Sequence, residues 1–218
     1  MSSSFLSCRI QKLNLTEPCK QIHRALQSLW KYYEPTTNLP KNGIYFFYEK
    51  GEFCSHTGKA RIVRVGTHGE RATLRKRLRQ HYRLNREGSV FRKHLGTALL
   101  RKKGFSDDQV TEWRKGRKSK RWNDFKDIED EISQLLRSKF FFRVIAVGGA
   151  NERKILEEKL IASLAACPEC EPSTGWLGRL AWSKKIRGSG LWNSNYVDSE
   201  NKMDAEDLER LRQLVRQT

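Results

Sequence analysis

Two short apolar segments, each bounded by a glycine, constrain the fold of this chain more than any other feature. Gly43-Ile44-Tyr45 opens an aromatic run, and Arg64-Val65-Gly66 ends a second apolar run after eighteen intervening residues. Residues 49–60, between the two runs, are polar and contain glycine, which is typical of a turn. The two segments therefore predict a hairpin of β-strands. The imperfect alternation around Ile62 and Val63 predicts that the second strand is central and covered on both faces.

The remaining patterns are helical, with one further strand. Apolar residues recur at helical spacing in 22–30, 74–82, 95–100, 128–136, 155–164 and 208–215. The apolar run 140–147 is long enough for a third strand. We therefore predict an α+β fold in which helices flank a small three-stranded sheet, antiparallel or mixed. We divide the chain into an N-terminal helical segment (1–40), a central domain (41–200) with a basic helical insertion at about 83–137, and a C-terminal helix (201–218).

The charge of the chain predicts a polyanionic partner. The 218 residues carry a formal net charge of +18. Such an excess is costly for a compact protein unless a polyanion binds to it, so we expect nucleic acid as the partner. The longest apolar runs are of strand length and too short to span a bilayer, so we expect no membrane partner.

The start of the chain and the cysteines predict a compartment. Met1-Ser2-Ser3-Ser4 lacks the basic start and apolar block of a signal peptide. The cysteines form an odd and scattered set, which does not favour a disulfide framework. They are Cys8, Cys19, Cys54, Cys167 and Cys170. The sequence therefore predicts a cytoplasmic, reduced protein.

A zinc site at Cys167 and Cys170 is the alternative use of two of these cysteines. Their spacing suits zinc, but a structural site needs four ligands. The next close pair, Cys54 and His56, is far away in the sequence. We therefore favour two free cysteines in a loop over a zinc site.

Four motifs in order resemble one nuclease family. Gly43-Ile44-Tyr45 matches the first signature of the GIY-YIG nuclease superfamily letter for letter, and Arg64-Val65-Gly66 stands where its second signature belongs. Residues 74–78 resemble the arginine helix of the family, and residues 152–161 its acidic helix. The superfamily includes intron-homing endonucleases, some restriction enzymes and the incision subunit of bacterial excision repair. The resemblance covers roughly residues 41–165, with the insertion outside it.

The resemblance implies a catalytic set. Arg77 would stabilise charge on the phosphate, because a guanidinium is always ionised and grips two oxygens at once. Glu157 would be the single metal-binding carboxylate, for Mg²⁺ or another divalent cation such as Mn²⁺; helix phase alone does not choose between Glu157 and Glu158. Tyr45 would act as general base or orient the water, a role shared with His81, since a restriction branch of the family carries a histidine four residues after its arginine. The alternatives are a core tyrosine and a surface histidine.

Two further residues complete the implied site. Arg64 replaces the tyrosine of the second signature and would hold phosphate, so the site would be rewired. The alternative is a decayed signature on a protein that only binds nucleic acid. Asn193, preferred to Asn195, resembles the terminal asparagine of the family, which hydrogen-bonds across the site.

Basic residues outside the catalytic set predict a nucleic-acid surface. Residues 71–121 contain 18 lysines and arginines against 4 acidic residues. Lysine and arginine release counterions from phosphates, and the flanking Trp113 and Trp122 could wedge or stack against bases. A solvated, flexible loop is the alternative. The predicted contacts are Arg75, Arg79, Arg114, Lys115, Arg117, Lys118, Lys120 and Arg121.

The sequence as a whole predicts a metal-dependent DNA endonuclease. Restriction and repair types are both compatible, and the pair of Arg77 and His81 favours restriction. Double-stranded DNA is the expected substrate, and the chain could be a monomer or a homodimer. The competing hypothesis is a non-catalytic nucleic-acid-binding protein on a degenerate nuclease fold.

Overall fold

A three-stranded antiparallel sheet forms the centre of the molecule. The structure, a computed structural model, describes residues 15–83 and 85–218. Its strands are β1 (Gly43–Phe53), β2 (Ala60–Gly66) and β3 (Phe140–Ala146), in the spatial order β2-β1-β3. β1 pairs antiparallel with both neighbours. The predicted α+β class and three-stranded sheet are confirmed, and the sheet is purely antiparallel.

The prediction that the second strand is central was wrong. β1 occupies the centre, and β2 lies at an edge. The register explains the misleading pattern: Phe47 pairs with Arg64 but Tyr48 pairs with Ile62, so a bulge leaves Val63 without a partner across the strands. A bulge breaks the alternation of faces, which in the sequence resembles burial on both sides.

A segment near the C-terminus covers the outer edge of β2. The backbone amide of Trp192 donates to the Val63 carbonyl at 2.6 Å. The Asn193 side chain accepts from the Val65 amide at 3.1 Å and donates to the Val65 carbonyl at 2.9 Å. The edge strand therefore has its backbone groups satisfied by residues about 128 positions away.

Eight α-helices surround the sheet in the described residues. The first, α1, spans residues 15–25 and continues as a 3₁₀ turn, Leu26–Ser28. Trp30 lies beyond it and is 76% exposed, so the apolar face predicted for 22–30 ends early. The others are α2 (Leu74–Arg83), α3 (Val90–Lys102), α4 (Asp107–Lys115), α5 (Lys126–Lys139), α6 (Ala150–Ala165), α7 (Lys184–Ser189) and α8 (Ala205–Arg216).

The basic insertion is folded rather than loop-like. It contains α3, α4 and α5, and the starts of two of these helices are capped. Ser89 accepts from the Arg92 amide, and Ser106 forms a reciprocal capping box with Gln109. Short 3₁₀ turns, Gly116–Lys118 and Trp122–Phe125, link α4 to α5.

The sheet separates two hydrophobic clusters. Tyr45 and Phe47 face the cluster that α2 to α5 cover, whereas Ile44 and Phe46 face the one built with α1, α6 and α8. This follows from strand geometry, because successive side chains point to opposite faces. The helices α2 and α6 therefore lie on opposite sides of the sheet, and both begin near the end where β2 and β3 finish. No helix in the described ranges is both long and apolar enough to cross a membrane.

Candidate active site

A cleft of about 620 Å³ opens where β2 ends, between the first turns of α2 and α6. One wall is the loop after β2, the second is α2, and the third is α6. Among the residues that line it are Thr67, His68, Glu70, Arg77, Gln80, Lys154, Glu157 and Tyr196. Two of the predicted catalytic residues, Arg77 and Glu157, therefore line the same cleft from different helices.

Arg77 brings an uncompensated positive charge to this cleft. Leu74 and Leu78 fix the phase of α2 by packing into the core, which leaves Arg77 half-buried at the border. Its guanidinium donates to Gln80 Oε1 at 2.9 Å and to the Gly88 carbonyl at 3.2 Å. Both acceptors are neutral, and no carboxylate of the described residues pairs with it. Arg79, two residues later, is exposed.

Glu157 is the carboxylate of the cleft, and its neighbour is engaged elsewhere. Its Oε1 accepts from the Thr67 amide at 3.1 Å, and Oε2 makes no hydrogen bond within the described ranges. Burial raises the pKa of Glu157, although the charge of Arg64, the Thr67 amide and Arg77 oppose this. Glu158 instead accepts from the Ser199 hydroxyl at 2.7 Å. A half-buried carboxylate with one free oxygen beside an open cleft fits a hydrated divalent cation.

Tyr45 and His81 form a buried pair beneath the cleft. Tyr45 Oη and His81 Nε2 are 2.9 Å apart, and His81 Nδ1 is 2.7 Å from Ser89 Oγ. All three side chains are 1% exposed or less. The alternative of a surface histidine is therefore wrong, whereas Tyr45 does pack in the core.

His81 links two buried hydroxyl groups. Ser89 Oγ already accepts from the Arg92 amide, and its only other contact in the described part of the chain is His81 Nδ1. Tyr45 Oη contacts Nε2 of the same ring. A neutral imidazole has one donor and one acceptor nitrogen, so one of the two hydroxyls donates to His81 and the other accepts from it.

Burial and charge together keep His81 neutral. Burial lowers the pKa of His81 well below its ordinary value, and Arg64, Arg77 and Arg92 add to the effect. His81 is thus a neutral ring that donates one hydrogen bond and accepts one.

The two signature glycines are needed for close approach. A Cβ at Gly66 would lie 2.3 Å from Tyr45 Oη, and one at Gly43 would lie 2.2 Å from the Ile145 carbonyl oxygen. The ring of Tyr45 therefore covers Gly66, the residue that precedes Thr67 in the cleft wall. This contact joins the two signatures physically.

A comparison with protein families matches residues 15–218 to the GIY-YIG domain. The chain belongs to the GIY-YIG family. Members of this family are nucleases, so the substrate is a nucleic acid, and they generally depend on divalent metals. Neither curated proteins nor solved structures give a significant match to the chain. The match extends through the insertion, which the resemblance in the sequence had left outside.

Arg64, the departure from the second GIY-YIG signature, lies outside the cleft lining. Its guanidinium donates to the Trp192 carbonyl and lies over the Phe91 ring, 5.0 Å from the ring centroid. It is buried, yet its charge still acts on Glu157 and His81. Asn193 is also buried and bonded to β2, whereas Asn195 is exposed.

The GIY-YIG cleft also contains residues that the sequence did not single out. His68 donates from Nδ1 to the Gly69 carbonyl at 3.0 Å, and its buried Nε2 has no partner among the described residues. Burial lowers the pKa of His68, so the ring is neutral and Nε2 can accept a hydrogen bond. Tyr196 has a positive φ of 63°, which is rare for a bulky residue. Only the place of His68, directly after the second signature, was a signal in the sequence.

The predicted basic surface is largely exposed, but its tryptophans are not. Trp113 is fully buried and Trp122 partly so, and the guanidinium of Arg86 is sandwiched between them, 4.1 and 3.9 Å from the ring centroids. The prediction that Trp113 wedges or stacks against bases was therefore wrong. The exposed basic residues are Arg79, Arg114, Lys115, Arg117, Lys118, Lys120 and Arg121, with Arg75 half-buried. Lys115 and Arg121 are paired with Glu112 and Asp124.

Proposed function

We propose that this GIY-YIG protein is a divalent-metal-dependent endonuclease that hydrolyses phosphodiester bonds in double-stranded DNA. One observation carries the proposal: Arg77 and Glu157 line the same cleft, and neither is paired with an opposite charge in the described part of the chain. A partly buried charge without a partner destabilises a protein, so an unpaired cation and an unpaired carboxylate in one cleft are best explained by a ligand that binds both. A phosphate with a metal ion is such a ligand.

Arg77 would bind the scissile phosphate. Its two contacts are with neutral oxygens, so a phosphate can replace them without breaking an ion pair. Negative charge grows on the phosphate oxygens as the reaction proceeds, and a preorganised guanidinium stabilises that charge most in the transition state.

Glu157 would hold the metal. A divalent cation there, Mg²⁺ or Mn²⁺, would supply Lewis acidity toward the phosphate. The Thr67 amide orients the carboxylate through Oε1, and Oε2 makes no hydrogen bond in the described ranges. One carboxylate with phosphate oxygens and waters is the usual arrangement for magnesium.

Tyr45 would orient the attacking water or take its proton. The positive field of the arginines around His81 would stabilise negative charge that develops on Tyr45 Oη, and His81 would donate to that oxygen when its proton is on Nε2. Arg64 contributes to that field from behind the cleft, as a positioning residue. Asn193 would hold the β2 edge, and with it the cleft wall that follows Gly66.

The exposed basic residues of α2 and of the segment 114–121 would bind the DNA backbone. Their charges are spread over a folded, exposed surface, which suits contacts with phosphates rather than with base edges. Whether the biological role is restriction or repair follows from the sequence specificity of cutting.

The test is cleavage of supercoiled plasmid with Mg²⁺. Arg77→Ala and Glu157→Gln should each lower the cleavage rate by about 10²–10³-fold. Arg79→Ala is the matched control for Arg77 because it removes an exposed arginine from the same helix. Glu158→Gln is the matched control for Glu157, and both controls should cut at close to the wild-type rate.

Three outcomes bear on the proposal differently. If the wild type binds DNA with a steep salt dependence but never cuts with Mg²⁺ or Mn²⁺, the enzyme proposal fails in favour of a binding protein. If Arg77→Ala and Arg79→Ala cut equally well, the assignment of the phosphate ligand fails. If His68→Gln abolishes cleavage while Tyr45→Phe does not, the water is activated by His68 and the role given to Tyr45 is wrong.

A further inference from the structure

Four cysteines and a histidine from distant parts of the chain meet on the face of the sheet opposite α2. Cys19 lies on α1, Cys54 and His56 lie in the turn after β1, and Cys167 and Cys170 follow α6. The four thiols are buried and reduced. Cysteines of one hydrophobic cluster need not approach one another, so their convergence calls for an explanation.

Three of the donor atoms are within reach of a single ion. Cys19 Sγ, a ring nitrogen of His56 and Cys167 Sγ all lie within 4.8 Å of one another. His56 Nε2 is 3.2 Å from Cys167 Sγ. Cys170 Sγ lies within the same distance of Cys19 Sγ, in a second group whose third member is His23. Cys19 is therefore the common member that joins both halves of the cluster.

The two histidines near the cluster differ in what their ring nitrogens do. His23 accepts from the Ile62 amide at 3.1 Å through Nε2, and donates through Nδ1 to the Cys19 carbonyl at 2.9 Å. Both of its nitrogens are thus used by the backbone. His56 turns Nε2 toward Cys167 and Nδ1 toward the Glu169 carboxylate, at 3.7 Å. A carboxylate behind a histidine is the arrangement that orients metal-bound imidazoles.

We propose that Cys19, His56, Cys167 and Cys170 bind a structural Zn²⁺ ion. Three thiolates and one imidazole form a closed tetrahedral donor set that zinc prefers. Cys54, buried beside Cys170, is a neighbour of the site and not a ligand. The sequence favoured free cysteines over zinc because the second pair of ligands is far away along the chain, and the fold brings these distant residues together.

The site is separate from the proposed catalytic metal. Glu157 precedes Cys167 by ten residues, most of them on α6, which corresponds to about 15 Å along a helix. The zinc ion would join α1 and the turn after β1 to the end of α6. It would therefore hold together three segments that are otherwise linked by packing and by the contacts of Glu169 with Thr16 and His56.

The experiment measures metal in the full-length protein, purified under reducing conditions from zinc-supplemented medium. We expect about one zinc ion per chain, released when the thiols are titrated with a mercurial. Replacement by Co²⁺ should give the intense visible absorption of a tetrahedral, thiolate-ligated ion. Removing zinc with a strong chelator should lower Tm by about 10 °C or more.

Single substitutions test the ligand set. Cys167→Ser, Cys170→Ser and His56→Ala should each lose most of the zinc. Cys54→Ser should keep it, and so should Cys8→Ser, which removes the remaining cysteine of the chain. Folding of every variant is checked by circular dichroism, and metal content is compared only among folded variants.

The proposal has clear points of failure. A folded wild type without stoichiometric zinc, which also gives no thiolate absorption with Co²⁺, would overturn it. Zinc retained in Cys167→Ser, or lost in Cys54→Ser and kept in His56→Ala, would overturn the ligand set. Loss of DNA cleavage plays no part in the test, so the zinc site stands or falls independently of the proposed nuclease activity.

Discussion

Replacing Gly66 by alanine should destabilise the protein through a contact with Tyr45. The new Cβ would lie 2.3 Å from Tyr45 Oη, 2.4 Å from Cζ and 2.8 Å from Cε2. Relief of this overlap requires the ring to move by about 1 Å, since carbon and oxygen atoms pack at about 3.5 Å. The phenol would then leave His81, whose Nε2 is 2.9 Å away.

The cost can be added from two contributions. A buried donor left without an acceptor costs about 1–3 kcal/mol. Overpacking a close-packed core by one methyl costs about 1–3 kcal/mol. Gly66 has no positive φ, so alanine strains no backbone and returns about 0.4–1 kcal/mol of chain entropy. The midpoints of these ranges give a net loss of about 3 kcal/mol, or a fall in Tm of roughly 6–12 °C for a chain of this size.

Thermal and urea unfolding, followed by circular dichroism, measure this loss. Gly148→Ala is the control, because its Cβ would meet nothing within 4 Å and its φ is also ordinary. Gly66→Ala in a Tyr45→Ala background should cost little, since the ring is gone. If Gly66→Ala and Gly148→Ala unfold within about 0.5 kcal/mol of each other, Tyr45 does not pack over Gly66 and the reasoning is refuted.

Four further predictions concern charge. Glu129→Gln should cost about 3–5 kcal/mol, because two buried arginines lose their counter-charge. The control in denaturant titrations is Glu131→Gln, whose side chain is 38% exposed and pairs with a surface lysine; it should change stability by less than about 1 kcal/mol. Burial raises the pKa of Glu157, and the ionised form binds metal, so the acid limb of kcat/KM should lie above the ordinary glutamate value; a limb at or below that value contradicts this. Because folding raises the pKa of Glu157, its ionised form costs stability at neutral pH, so Glu157→Gln should unfold there no earlier than wild type. Lys118→Ala and Lys120→Ala should each lower the slope of log K against log salt for DNA binding by about 0.9, and an unchanged slope would remove them from the interface.

Local sequence patterns predicted the individual strands and helices well, but they did not predict which strands lie side by side in the sheet. Burial on one face of an element leaves a periodic hydrophobic pattern in the sequence. Such patterns predict the strand that starts near Ile44, the basic helix around Leu78 and the strand that starts at Phe140. The position of β2 at the edge could not be predicted in this way. A bulge at Val63 disturbs the alternation of apolar residues, and a segment about 128 residues later covers the outer edge of β2. Both features make the apolar pattern of this edge strand similar to that of a central strand.

In the candidate site, too, local motifs predicted some residues, whereas other contacts depend on the fold. Arg77 and Glu157 follow from local motifs, and their presence in one cleft follows from two helices that begin at the same end of the sheet. The buried chain of hydrogen bonds that starts at Tyr45 and passes through His81 ends at Ser89, which no pattern connects to a signature. The prediction for Trp113 was wrong because it rested on the basic residues that follow Trp113 in the sequence. Val110, three residues earlier, lies on the same buried face of α4 and indicates that Trp113 belongs to the core.

The strap of residues 191–193 along β2 also has a consequence for the order of assembly. Contacts between residues so far apart close late, since a long loop must be ordered before they form. During synthesis, β2 can pair with β1 long before Trp192 and Asn193 leave the ribosome. Until then its outer edge is open, Arg64 has no carbonyl partner in Trp192, and the wall of the cleft is unsupported. The finished cleft would therefore form only after Trp192 and Asn193 have been synthesised.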